Sequence, residues 1–282
     1  MKISNWISSF SFKQFRQKTG LLSDAYWTQQ ILIDSIAEKL KNENQDAKIH
    51  DVMNCSFDVR MYPQTVSEFL TALPNFMNQY RLQLLVTYSA HLEMYLKDIT
   101  FRYLISKGYV ENLEKPKEIL KLNKLGKVIG SPIINNSTIP DMIDYASELF
   151  EIDFGSHVTE WKKLYTLRCA AAHNGGIATA SFIQKIGGSK QLALNPKEND
   201  NIGLTWEELR KGLRYGDEIV TMIDNKIASY EIRLVDAEII LRELKAKNCL
   251  PIKEKVPAIF NNEYSIFPVK RADWHRFYYK FF

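Results

Sequence analysis

An arginine and a histidine stand five residues apart in the segment 167–176, which reads Leu167-Arg168-Cys169-Ala170-Ala171-Ala172-His173-Asn174-Gly175-Gly176. Histidine titrates near neutrality, so it can take a proton from a hydroxyl or return one to a leaving oxygen. Arginine carries a permanent charge on a planar fork that suits a phosphate gathering negative charge in a transition state. The pair therefore suits cleavage of a ribose phosphodiester by the neighbouring 2′-hydroxyl, a reaction that requires no metal. On one helix, residues five apart lie about 140° apart around the axis and do not share a face. Two copies of the helix at a twofold interface, the commonest arrangement of identical chains, would let both pairs converge. The alanines at 170–172 would permit that close approach.

Other residues compete less well for chemistry. Cys169, a small thiol beside three alanines, reads as a core residue rather than a nucleophile. The remaining histidines, His50, His91, His157 and His275, have no metal-ligand spacing, and Cys55, Cys169 and Cys249 form no CxxC pair. No cofactor is expected. The formal charge of +4 permits a polyanionic partner without identifying one. Near the C-terminus, Lys270, Arg271, Trp274 and Arg276 interleave bases with an aromatic, a pattern that can contact phosphates and stack on unpaired bases. The competing reading is that the aromatics of this tail pack onto the domain. With no secretory leader and no run of about 18 apolar residues, a cytoplasmic, non-membrane protein is expected.

These residues need helices to carry them. The chain has 282 residues, 45% hydrophobic and 25% charged, with few glycines and prolines, a composition suited to a helix-rich globular protein. Periodicity predicts helices over 26–44, 80–106, 115–129, 140–151 and 157–174, the last stopped by Gly175-Gly176. On 80–106, Ser89 and Glu93 lie on or beside the apolar stripe formed by Leu82, Leu85, Leu92, Leu96 and Ile99. The stretch 177–204 loses helical periodicity and reads as a short hairpin or loop excursion. Thr205 and Glu208 then form a capping box. From there Leu213, Val220, Ile227, Leu234 and Leu241 recur every seven residues, which predicts one long helix over 206–247, either packed in the core or extended as a coiled coil. The expected architecture is all-α, with an N-terminal helical extension (1–62), a central domain (63–235) and a helix end with a basic aromatic tail (236–282).

The motif Arg168-x4-His173 followed by Asn174-Gly175-Gly176 at a helix end resembles the signature of HEPN-superfamily ribonuclease domains. The preceding helix with Ser89, Leu92 and Glu93 and the following excursion into a capped helix resemble it further, over about 80–235. The resemblance implies a HEPN-like helical bundle whose two copies meet in a homodimer to form the ribonuclease centre. It implies an endoribonuclease that leaves a 2′,3′-cyclic phosphate on RNA, transfer RNA among the candidates, with a toxin-like or antiphage-defence role and an antitoxin or defence-system partner. In that reading His173 is the general base or acid and Arg168 stabilises the transition state. Asn174 orients the phosphate or His173, and Glu93 holds Arg168 or His173. Active members often carry a polar residue after the arginine, where this chain has Cys169. The alternatives are a non-catalytic module of the same family that binds RNA or a partner protein, and a structural adaptor built on 206–247.

Overall fold

The computed structural model describes residues 8–54, 63–108, 138–186, 196–251, 253–262, 264, 277 and 279–281. The protein is all-α: among the described residues there is no strand, only two isolated antiparallel bridges, Lys48 with Thr65 and Ile177 with Asn201. In chain order the helices are α1 (Phe10–Leu40), α2 (Ile49–Val52), α3 (Val66–Ser106), α4 (Ile139–Phe150), α5 (Ser156–Asn174), α6 (Ala180–Ile186), α7 (Trp206–Ile227), α8 (Tyr230–Ala246) and α9 (Val256–Asn262). None of them is long and apolar enough to cross a membrane.

Helix starts follow local hydrogen-bond chemistry. At α3, the Glu68 N–H donates to Thr65 Oγ1 (3.2 Å) while the Glu68 carboxylate accepts from the Thr65 N–H (3.3 Å). The capping box read at Thr205 and Glu208 forms in the same way at α7, with bonds of 2.8 and 3.2 Å. The start of α3 lies well before residue 80, and Pro74 falls inside the helix.

One expectation is corrected. The region 206–247 is not one helix: α7 ends at Ile227, and Ser229, extended at φ −135° and ψ 174°, caps α8 by accepting from the Ile232 N–H. The seven-residue repeat runs through the break because it reports only which face is apolar. A serine that satisfies an orphan N–H, worth about 1 kcal/mol, decides where a new helix begins. Of the hairpin or loop read after α5, the described residues form a loop without strands. It closes at its base through the Ile177–Asn201 bridge and an Ala178 N–H to Asp200 carbonyl bond of 2.9 Å, with the short helix α6 between. The helix expected over 115–129 lies outside the described residues, as do Lys270, Arg271, Trp274 and Arg276.

The chain divides into two compact units, each assembled from separate stretches. The first comprises Met1–Gln17, Ala90–Lys162 and Tyr215–Phe282. Part of its core is Ala237, Ile240, Leu241, Val256 and Phe260, joined by Phe277 and Phe281, so two aromatics of the C-terminal tail are packed inside. It also holds a buried polar network around the start of α1. The Ser9 N–H and hydroxyl donate to Asp224, and the Phe10 N–H donates to Asp236 at 3.0 Å. Arg102 donates to Asp236 at 2.6 Å and to Asp98 at 2.9 Å. Burial pushes the Asp224 carboxyl up to about 6, against the downward pull of Ser9. Asp236 is raised by burial as well, with Arg102 opposing.

The second unit comprises Lys18–Ser89 and Lys163–Arg214 and carries the Arg168–His173 segment. Its buried residues include Tyr26, Leu82, Leu85, Tyr88, Leu164, Leu167, Ile202, Leu204 and Leu209. Gly212, which would ordinarily weaken a helix, is required here: a Cβ on it would stand 2.6 Å from Leu164 Cδ2.

Candidate functional site

The C-terminal half of α5 buries Leu164, Leu167, Ala170 and Ala171 as one stripe. Arg168 follows at the flank of that stripe and is half-buried, whereas Ala172, His173 and Asn174 are exposed. The 140° separation read from the sequence is thus realised as two different surroundings: Arg168 at the edge of the core, His173 on the opposite, solvent side. Of the three alanines, two line the core and one faces out.

Arg168 is oriented from its own helix. Its guanidinium carbon lies 5.6 Å from the ring centroid of Tyr165, one turn earlier, a contact worth about 0.5–1 kcal/mol at a partly exposed site. Its Nε is buried and makes no hydrogen bond among the described residues. An unsatisfied buried donor on a permanent cation costs free energy.

The helix end is shaped by two glycines. Gly175 and Gly176 take φ of +61° and +79°, in the left-handed region that favours glycine. The Gly176 N–H returns to the Ala170 carbonyl (3.1 Å), and the Gly176 carbonyl accepts from the Ile202 N–H (2.8 Å). A Cβ on Gly176 would meet Leu82 Cδ1 at 2.7 Å and the Gln79 amide at 3.7 Å. Asn78, on the same turn of α3, fixes the returning segment 202–204: it donates to the Ile202 carbonyl (2.8 Å) and accepts from the Leu204 N–H (2.7 Å), and Arg81 Nε donates to the Leu204 carbonyl. The position of His173 is therefore determined by α3 through Gly176 and by the segment 202–204 through Asn78.

Among the residues singled out in the sequence, Arg168, His173 and Asn174 share the end of α5 in the second unit. Glu93 belongs to the first unit, on α3, where Lys97 Nζ lies 2.6 Å from its carboxylate. Ser89 is fully buried and donates back to the Leu85 carbonyl (2.8 Å). Cys169 is half-buried and unbonded to another sulfur. No group of three His, Cys, Asp or Glu residues that could hold a metal is present among the described residues.

Sequence reasoning missed the residues that frame the motif, Gln79, Asn78, Arg81 and Tyr165. It also passed over a signal in the charges: no Asp or Glu occurs between 161 and 197 or between 69 and 92, while 161–197 holds Lys162, Lys163, Arg168, Lys185, Lys190 and Lys197. Neither of these two stretches carries the charge that would repel a polyanion, whereas the segment bonded to the helix end beyond them holds the exposed Glu198 and Asp200. No family model, no curated protein and no solved structure matches this chain.

Proposed function

We propose that this protein is a metal-independent endoribonuclease of the HEPN type. The observation that carries the reading is the end of α5, where an exposed His173 and a half-buried Arg168 with an unpartnered Nε stand in a stretch free of carboxylates. His173 removes the proton from a ribose 2′-hydroxyl, or protonates the departing 5′-oxygen. The 2′-oxygen attacks the adjacent phosphorus, the bond to the 5′-oxygen breaks, and a 2′,3′-cyclic phosphate and a 5′-hydroxyl result. Arg168 balances the charge that builds on the phosphoryl oxygens, and Asn174 orients the phosphate or the imidazole.

Because Arg168 and His173 diverge on a single helix, the reading includes a homodimer in which the arginine of one copy and the histidine of the other act on one phosphate. A toxin or defence role, held in check by an antitoxin or a defence-system partner, follows from such an activity. The same divergence supports a second reading, a non-catalytic module that binds RNA or a partner protein.

The deciding experiment incubates the purified protein with total RNA and with transfer RNA in EDTA, beside Arg168→Ala and His173→Ala. Cleavage that survives chelation, needs both residues and leaves cyclic phosphate ends is the expected result. RNA retained in a gel shift but left intact would favour the binding module.

A further inference from the structure

Inside the second unit, four rings lie with nearly parallel planes. Tyr26 stacks on Trp206 at 4.1 Å and 11°, Tyr80 lies parallel to Tyr26 at 6.3 Å and 6°, and Phe76 lies parallel to Tyr80 at 6.4 Å and 5°. Trp206, at one end, is met by Trp27 at 5.1 Å, whereas the spacing of more than 6 Å between Tyr80 and Phe76 makes Phe76, at the other end, an offset neighbour with surface left exposed. Tyr26, in the middle, is 2% exposed, while Phe76 at the end is 48% exposed. The core beneath this turn of α3 is closed by Met77 and Leu82, so packing alone does not call for a large ring at 76.

The place of Phe76 gives the ring a use. It stands one turn before Gln79, whose amide abuts Gly176, three residues beyond His173. Adding the spacing of a helical turn, that contact and three residues of chain puts Phe76 within roughly 20 Å of His173. That distance is a few nucleotides of an extended strand. The neighbouring polar side chains on this part of α3, Asn75, Gln79 and Gln83, are uncharged amides, and 69–92 contains no carboxylate. A stacking ring beside uncharged donors and acceptors, with Arg81 on the same stretch of helix, is chemistry that can hold a single-stranded nucleic acid.

We propose that the open face of Phe76 is a stacking site for an unpaired base of the RNA strand whose phosphate reaches His173. The site rests on the ribonuclease reading and makes it more specific: the substrate is unpaired beside the point of cleavage.

The test measures binding rather than turnover, in a His173→Ala background that leaves RNA uncut. The probes are an oligouridylate carrying one 5-iodouridine and an abasic oligomer of equal length, with circular dichroism to confirm the fold of each variant. Phe76→Ala is expected to weaken oligouridylate binding about five- to a hundredfold, and Phe76→Trp to preserve it. The abasic oligomer should bind weakly and be indifferent to Phe76→Ala, and photocrosslinking should mark Phe76. Equal affinity of Phe76→Ala and its parent, or no binding of the oligouridylate, would overturn the stacking site. So would altered self-association with RNA binding unchanged, which would assign the ring to a protein interface. Phe76-dependent binding by a chain with His173 intact that cuts no RNA would leave this site standing and remove the nuclease. Cleavage indifferent to Phe76 would do the reverse.

Discussion

Gly176 and Leu82 are packed so closely that a methyl group on the glycine would lie 2.7 Å from Leu82 Cδ1, well inside van der Waals contact. Gly175, its neighbour, has nothing within 4 Å of the same position. Both are left-handed, so both alanine variants carry the conformational cost of about 1–2 kcal/mol. Gly176→Ala adds an overlap with a buried side chain. We expect Gly175→Ala to lower the urea midpoint modestly and Gly176→Ala to lower it by at least twice as much. Equal losses would show that Leu82 moves aside without cost.

Arg168 and His173 are expected to fail differently under conservative change. His173→Ala should cost about 100- to 10,000-fold in RNA cleavage, the usual contribution of a positioned acid or base. Arg168→Lys keeps the charge but loses the planar fork and the contact with Tyr165, so it should recover only a small part of what Arg168→Ala loses. Full recovery by lysine would reduce Arg168 to a point charge. Rates from product gels, with melting temperatures beside them, separate these effects from unfolding.

Asp224 predicts a pH dependence of stability. In the fold its carboxyl titrates near 6, raised by burial from an ordinary value of 3.8, so the ionised form is the costly one. Its stabilising contribution is fully present below about 3.8 and is lost as pH rises through about 6. Asp224→Asn should therefore flatten the change in stability between pH 4 and pH 7, a difference on the order of 2–3 kcal/mol. Parallel curves for variant and parent would refute the assignment to this residue.

Asp236 is the more severe position. Removing its carboxylate by Asp236→Ala leaves the buried Arg102 guanidinium without that partner and the Phe10 N–H unbonded. A loss of about 3–5 kcal/mol is expected, enough to threaten folding of the first unit. Arg102→Met combined with Asp236→Leu should recover only part of it, because the buried guanidinium is gone but Asp98 loses its arginine and the Phe10 N–H stays unbonded. Calorimetry on the single and double variants decides the matter.

Local chemistry made parts of this molecule legible. The double glycine set the end of α5 at the correct residue, and the Thr205–Glu208 box set the start of α7. The start of α1 at Phe10 was not read, although Ser9 caps the Phe12 N–H locally (3.1 Å); the Ser9 and Phe10 amides, by contrast, are satisfied by Asp224 and Asp236, far along the chain. The break at Ser229 was hidden by a heptad repeat that continues across it. At the candidate site the candidate side chains could be picked out by type and spacing, but their frame could not. Gln79, Leu82 and Asn78 reach Gly176 and the segment 202–204 only through tertiary packing, and no spacing in the sequence announces that approach.

The clasp at the start of α1 also sets an order of assembly during synthesis. Ser9 waits for a partner 215 residues later, and Phe10 for one 226 residues later. The second unit, by contrast, is complete in sequence at Arg214. At about 5–20 residues per second, the last residue of that unit leaves the ribosome roughly 0.5–2 s before Asp224 does. In that interval Ser9 can already cap the Phe12 N–H locally, as in the fold (3.1 Å), and the Ser9 and Phe10 amides are the ones still waiting for their carboxylates.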